Sequence, residues 1–267
     1  MNPAELLHPV FDIALEAGRR IMAVYRSADF GVTHKDDASP LTQADLAAHR
    51  CIVEALARLT PDTPILSEEA ADIGFDVRSR WTRYWLVDPL DGTKEFIKRN
   101  GDFTVNIALI DHGYPLLGVV HAPALDLSYL AAGEGGAWKL VDGQRQAIRS
   151  RRTPTRPTLV VSQSHQDAAL QRLLAAAPPH EALSRGSSLK FCQIAEGSAD
   201  LYPRTGPTSE WDTAAGQCVA EQAGAQVLQL PGFQRLTYNR KDSLLNPCFA
   251  VLGDPQHNWR SLLETVS

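Results

Sequence analysis

The chain has 267 residues, 44% of them apolar and 21% charged, an ordinary globular composition with length for one large domain or two modest ones. Lys and Arg number 26 against 31 Asp and Glu, a formal charge of −5. No global field therefore draws a nucleic-acid polymer, although a local basic pocket for a small anion stays open.

In chain order, Leu6, Leu7, Val10, Ile13, Ala14, Ala17, Ile21 and Val24 recur at close to helical spacing and predict a helix over residues 4–26. Thr42-Gln43-Ala44-Asp45 opens a second amphipathic helix with a Thr-x-x-Asp start of the capping-box kind. Trp85-Leu86-Val87 is a short apolar strand expected to stop at Asp88. Phe103, Val105, Ile107 and Leu109 alternate with Thr104, Asn106 and Ala108, the period of a strand. Residues 115–121 and 127–132 continue that sheet, and Gly133, Gly135 and Gly136 mark the next turn. Residues 142–157 hold five arginines and two prolines with little apolar pattern, so a boundary near 145 is expected. The chain is divided into an N-terminal αβ half, 1–145, and a C-terminal αβ half, 146–267. Leu159-Val160-Val161-Ser162 restarts as a buried strand, and helices are expected at 166–176, 188–197 and 212–223, with Gly224 ending the last.

The start Met1-Asn2-Pro3-Ala4-Glu5 lacks the basic and apolar runs of a signal peptide, and no window approaches the roughly 18 apolar residues of a spanning helix. Cysteines 51, 192, 218 and 248 are scattered, without C-x-x-C, which argues against a disulfide framework or a zinc site and for a reducing cytosol. A cytoplasmic protein is expected, with peripheral contact at the cytoplasmic face of the inner membrane left open.

The chemistry concentrates in Trp85-Leu86-Val87-Asp88-Pro89-Leu90-Asp91-Gly92-Thr93-Lys94-Glu95-Phe96. A strand ends, and two carboxylates follow three residues apart around Pro89, which suits a tight turn. Such a turn can aim Asp88, Asp91 and a backbone carbonyl at one point, and hard cations such as Mg2+ want oxygens of this kind. Thr93 then begins a helix whose free N–H groups suit a phosphate. Read alone, Asp88 and Asp91 serve equally as turn and cap residues. Ile65-Leu66-Ser67-Glu68-Glu69 adds paired carboxylates after a short strand, where a solvated surface pair is the plainer reading. Glu210-Trp211-Asp212-Thr213-Ala214-Ala215-Gly216 puts Asp212 at a helix start, where a simple N-cap also fits. The small residues after it let that helix pack tightly or let a substrate come near.

Together with Lys35-Asp36-Asp37-Ala38-Ser39-Pro40-Leu41-Thr42-Gln43-Ala44-Asp45, these pieces resemble the inositol monophosphatase superfamily of Mg2+-dependent, often lithium-inhibited phosphatases. Its W-x-V-D-P-L-D-G-T and W-D-x-A-A-G signatures stand in order, and the resemblance runs from about residue 35 to 220. It implies a mixed α/β, layered α-β-α-β-α fold like that of the sugar phosphatases. It also implies Glu68, Asp88, Asp91, Asp212 and the Leu90 carbonyl as ligands of two or three Mg2+ ions. Asp45 and Thr93 become the pair that orients the attacking water, with Glu69 as a further catalytic carboxylate. The Gly92 and Thr93 N–H groups hold the phosphate. The haloacid dehalogenase phosphatases also use an Asp-x-Asp-Gly-Thr segment, but the position of their nucleophilic Asp is Pro89 here, which disfavours a phospho-aspartate route.

Within the superfamily, Asp91-Gly92-Thr93-Lys94-Glu95-Phe96, Gly186-Ser187-Ser188-Leu189-Lys190-Phe191-Cys192 and Leu201-Tyr202-Pro203-Arg204 resemble the 3′(2′),5′-bisphosphate nucleotidase branch. Inositol monophosphatases usually carry at the place of Arg204 a Glu that accepts from inositol hydroxyls. The reversed charge suits a second phosphate. Lys190 joins it on the substrate wall or is a surface helix lysine. Asp91, Leu90, Gly92, Thr93 and Asp212 complete the implied substrate contacts. The expected reaction is hydrolysis of adenosine 3′,5′-bisphosphate to AMP and phosphate, clearing a by-product of sulfate activation, by a monomer or homodimer. The alternatives are an inositol-phosphate or other small phosphomonoester phosphatase, and a non-catalytic nucleotide-binding protein that kept the fold.

Overall fold

A computed structural model of the chain describes residues 2–27, 33–34, 40–162 and 167–266. Helix α1 (Pro3–Tyr25) opens on Asn2, whose Oδ1 accepts the Ala4 N–H at 3.1 Å, and buries Leu6, Val10, Ala14, Ala17 and Ile21 along one face. A short antiparallel ladder of β1 (Thr33–His34) and β2 (Pro40–Leu41) leads into α2 (Gln43–Leu59). Next come β3 (Ile65–Ser67), a 3-10 turn at Glu68–Ala70, α3 (Phe75–Arg78), β4 (Arg83–Asp91) and α4 (Thr93–Ile97). Five strands follow: β5 (Thr104–Asp111), β6 (Tyr114–Ala122), β7 (Leu127–Ala132), β8 (Ala137–Val141) and β9 (Gln144–Ile148). Beyond a link at 149–157 lie β10 (Thr158–Ser162), α5 (Ala168–Ala176), β11 (Glu181–Arg185), α6 (Leu189–Ala195) and β12 (Leu201–Arg204). The chain ends through α7 (Glu210–Gln222), β13 (Gln226–Leu230), β14 (Cys248–Leu252) and α8 (Arg260–Leu263). Among the described residues no helix is long and apolar enough to cross a membrane. The four cysteines are free thiols.

A seven-stranded sheet runs in the order β3 to β9, with β3 parallel to β4 and the rest antiparallel. A five-stranded sheet runs β11-β10-β12-β14-β13, parallel through its first three strands. Strand alternation decides which layer each face meets. Trp85, Val87, Val105, Ile107, Leu117 and Val119 pack on α1 and α2. Their neighbours Tyr84, Leu86, Ala108, Ile110 and Val120 face the other way, onto α6 and α7, which in turn cover Val160, Tyr202, Val227 and Phe249 of the second sheet. The far face of that sheet, with Leu159, Leu201, Leu230 and Ala250, is closed by α5, Trp259 and α8. The result is the five-layer α-β-α-β-α sandwich expected from the resemblance.

Residue 145 lies inside β9, so the chain passes between sheets at 149–157. That strand is nearly all exposed at the sheet edge, which explains why it has no apolar period to read. The two halves also share one core, because α7 belongs to the second half by sequence and packs on the first sheet. Its small residues serve that packing. A Cβ on Gly118 of β6 would stand 2.5 Å from the Ala215 carbonyl oxygen, and one on Gly216 2.8 Å from the Phe191 ring. Gly118→Ala is expected to cost about 1–3 kcal/mol by overpacking, at roughly 2–4 °C per kcal/mol for a chain of this size. An unchanged melting temperature would show that α7 has room to move away.

Candidate active site

Strand β4 does not stop at Asp88. Asp88 pairs with Asn106 and Asp91 with Thr104, so Pro89 and Leu90 together oppose the single residue Val105. This is a β-bulge rather than the expected tight turn, and a bulge re-aims side chains. Up to Asp88 the inner face takes the even residues, Tyr84 and Leu86. Past the bulge the alternation has slipped by one: Leu90 points into the outer core beneath α1 and α2, and Asp91 lines the inner cavity. Two carboxylates three residues apart thereby share one face, which no regular strand allows. The Leu90 N–H donates to Asp88 Oδ1 at 3.0 Å and fixes the loop of the bulge. Gly92 follows at φ +91°, ψ 41°, with a would-be Cβ only 3.1 Å from the Asp102 carbonyl oxygen. Glycine is required there on both counts.

Asp45 completes the capping box of α2. Its Oδ2 accepts the Thr42 N–H at 2.8 Å and the Thr42 hydroxyl, while its Oδ1 faces the Thr93 hydroxyl at 3.4 Å. Thr93 Oγ1 also stands 3.4 Å from the Leu90 carbonyl. Burial pushes the Asp45 carboxyl above its ordinary range, against the opposing hydrogen bonds from Thr42. The motif segment Lys35-Asp36-Asp37-Ala38-Ser39 lies outside the described residues.

Glu68 sits on the 3-10 turn after β3 and lines the cavity; Glu69, next along the turn, is half-buried and is not one of the wall residues. Helix α7 begins at Glu210, two residues ahead of the expected start, and its N-cap is Ser209; Asp212 is instead the third helical residue of a capping box, accepting the Ser209 N–H at 2.9 Å, so the box and the site use one carboxylate. Burial raises Asp88 well above its usual range, and Glu68, Asp91 and Asp212 push the same way. Asp212 is raised well above its range by burial first, then by Asp91 and Glu68. Burial carries Asp91 to about 6, opposed by Lys190 and the Ser188 N–H. Such a set stays ionised only beside positive charge. Among the described residues no three His, Cys, Asp or Glu side chains already stand in ligand geometry about one point. In kind, four carboxylates with a nearby backbone carbonyl are the donors of a hard divalent cation, and their mutual repulsion is what such a cation relieves.

Two cations line the same cavity. Lys190 is 7% exposed; it is therefore no surface lysine. Its Nζ donates to the Ser187 carbonyl and lies 5.7 Å over the Tyr202 ring, and burial lowers it to about 8. Arg204 is equally enclosed, donating through Nε to the Gly206 carbonyl at 3.1 Å and through Nη2 to the Pro207 carbonyl at 2.7 Å. Glu68, Asp91, Gly92, Thr93, Lys190, Arg204 and Asp212 all line one cavity of about 240 Å3; Asp45, Asp88 and Leu90 are not among its wall residues.

The support of this wall from β5 has no motif in the sequence. Thr104 and Asn106 of β5 are fully buried, and Ser188 Oγ meets Thr104 Oγ1 at 2.9 Å and donates to Asn106 Oδ1 at 2.7 Å. Polar residues in a strand between buried apolar neighbours are the signal that could have found them. Glu95, buried on α4 and lining the cavity, stands inside the Asp91–Phe96 segment but has no role assigned to it.

A five-layer sandwich with carboxylates gathered at a strand bulge, a helix start and a 3-10 turn defines a phosphatase architecture, and the chain belongs to the inositol monophosphatase family, whose model matches residues 2–260. The 3′(2′),5′-bisphosphate nucleotidase CysQ of Escherichia coli is 55% identical over 248 residues, covering 92% of this chain and 99% of that protein. CysQ of Haemophilus influenzae is 36% identical over 262 residues, covering 97% of each. Among solved structures, CysQ from Bacteroides thetaiotaomicron superposes with a TM-score of 0.82 at 40% identity, over 92% of this chain and 96% of that one. The inositol monophosphatase of Zymomonas mobilis, at 22% identity and a TM-score of 0.79 over 100% and 99% of the two chains, shares the fold.

Proposed function

We propose that the chain is a 3′(2′),5′-bisphosphate nucleotidase that hydrolyses adenosine 3′,5′-bisphosphate to AMP and inorganic phosphate with Mg2+. The observation that carries this reading is one cavity lined both by carboxylates and by two enclosed cations, Lys190 and Arg204. A substrate with one phosphate has use for the carboxylate cluster only.

Glu68, Asp88, Asp91, Asp212 and the Leu90 carbonyl are assigned to two or three Mg2+ ions. Bound there, the metal supplies an acidified water and neutralises phosphoryl oxygens. The protein's own groups do the rest. Asp45 accepts from the Thr93 hydroxyl, which leaves the Thr93 oxygen to accept a hydrogen bond from the attacking water and orient it. The Gly92 and Thr93 N–H groups, opened by the left-handed turn at Gly92, take the oxygens of the ester phosphate. Glu69 is assigned a supporting role on its adjacency to Glu68 alone. Lys190 and Arg204 receive the second phosphate. The two αβ halves, meeting near 149–157, thus contribute most of the metal ligands and the substrate wall respectively.

The test is kcat/KM with Mg2+ across adenosine 3′,5′-bisphosphate, inositol 1-phosphate, fructose 1,6-bisphosphate and AMP. Adenosine bisphosphate is expected to lead by at least tenfold, the discrimination of about 1.4 kcal/mol that one charge-assisted contact supplies. Preference for inositol 1-phosphate would overturn the substrate, and no phosphate release from any of them would overturn the enzyme.

A further inference from the structure

Two glycines flank the cavity, one from each half: Gly92 after β4 and Gly186 before α6. Asp102, 5% exposed in the loop that enters β5, stands between them. Its carbonyl oxygen lies 3.1 Å from a Cβ built on Gly92 and 2.7 Å from one built on Gly186. Neither glycine can move toward it or carry a side chain. The Asp102 carboxylate then ties the second half down. Its Oδ2 accepts the Gly186 N–H at 3.0 Å and its Oδ1 accepts Arg185 Nη1 at 3.0 Å. Both are bonds to a charged acceptor, about twice as strong as neutral ones.

The segment after Gly186 has little freedom left. Ser187 is held at φ +45° and its carbonyl accepts Lys190 Nζ. Ser188 is fastened to Thr104 and Asn106 of the first sheet. The position of the Lys190 ammonium relative to the Gly92–Thr93 turn is therefore set by where Asp102 holds Gly186.

We propose that Asp102 is a positioning residue that fixes the distance between the ester phosphate at Gly92–Thr93 and the second phosphate at Lys190, and so sets selectivity for bisphosphates. This rests on the reading of Lys190 as a contact of the second phosphate. A carboxylate is needed because it alone accepts from the guanidinium and the N–H together. Asparagine keeps an acceptor for Gly186 and turns a donor toward Arg185.

The experiment compares kcat and KM for adenosine 3′,5′-bisphosphate and for adenosine 3′-monophosphate in wild type, Asp102→Ala, Asp102→Asn, Lys190→Ala and the Asp102→Ala/Lys190→Ala double variant. Asp102→Ala is expected to raise KM for the bisphosphate roughly tenfold, with kcat and the monophosphate KM within about threefold of wild type. Asp102→Asn should recover part of that loss. In the Lys190→Ala background the Asp102→Ala effect should vanish, as coupled residues require. Equal losses on both substrates, or a loss undiminished in the Lys190→Ala background, would make Asp102 merely structural and overturn the proposal; Asp102→Asn answers the same question should the alanine variant fold poorly. Lys190→Ala alone judges the underlying reading. If it separates the two substrates and the Asp102 variants do not, only the positioning role falls. If it does not separate them, the second-phosphate reading falls and takes this proposal with it.

Discussion

Asp88→Asn should leave the fold intact and lower kcat by at least ~100-fold, the scale of losing one preorganised electrostatic group. The asparagine oxygen can still accept the Leu90 N–H that fixes the bulge, so the loss reads charge and not shape. The metal-free variant should also be more stable than metal-free wild type at neutral pH. Burial and three neighbouring carboxyls raise Asp88 in the folded chain, whereas in the unfolded chain it titrates near 3.9. A carboxyl raised on folding binds its proton more tightly when folded. Its contribution is fully present below the unfolded value and is lost as pH rises through the folded one. For Asp91, raised to about 6, that window runs from about 4 to 6. Asp91 titrates in both proteins, so the difference between them reads Asp88 alone: raised well above its range, its contribution is still being lost above about pH 5, and the metal-free wild type should melt progressively lower than Asp88→Asn from about pH 5 to pH 7.5. The melting-temperature gain on adding Mg2+ should be larger at the higher pH. Near-normal turnover of a folded Asp88→Asn protein at saturating Mg2+, or a Mg2+ gain independent of pH, would sink the metal assignment.

The parts of this design that could be read from residues alone are those with a period or a fixed chemistry. Helices α1 and α2 show their buried faces at helical spacing, and the Thr42–Asp45 capping box is a local device. Strands β4 to β7 each carry enough apolar residues to show. Strands β9 and β11 are largely exposed and β12 has only four residues, so they leave little trace, whereas the apolar run Phe249–Leu252 of β14 is as legible as that of β10. Pro89 fits a tight turn and a bulge equally well, and only pairing with β5 decides between them. Helix α6 is buried on every side; it has no polar face to betray that Lys190 points inward. Asp102 lies in an unremarkable Gly-Asp-Phe stretch, and its importance comes from a partner more than eighty residues away. Local signals identified the carboxylates of the site, and long-range packing supplied the cations of the same cavity wall.

That wall gives the sharpest test of substrate. A charge-assisted contact between Arg204 and a second phosphate should be worth roughly 1.5–3 kcal/mol. Arg204→Ala should then cost about 10- to 150-fold in kcat/KM for adenosine 3′,5′-bisphosphate. The guanidinium already spends Nε and Nη2 on the Gly206 and Pro207 carbonyls, so alanine also removes a brace from the turn leading to Asp212. A monophosphate substrate reports that brace alone, and the ratio of the two losses reports the phosphate contact. Arg204→Lys separates them again: it keeps the charge and loses the planar fork, so it should retain more bisphosphate selectivity than alanine does. Arg204→Glu should fall below alanine on the bisphosphate through repulsion, and gain relative activity on inositol 1-phosphate through a new acceptor for hydroxyls. Its carboxylate would also replace the positive charge that now opposes the rise of Asp212, so absolute activity should drop on every substrate. Equal losses of the bisphosphate and the monophosphate in Arg204→Ala would mean that the arginine only braces the turn. Selectivity for the second phosphate would then fall to Lys190, the other cation enclosed on that wall.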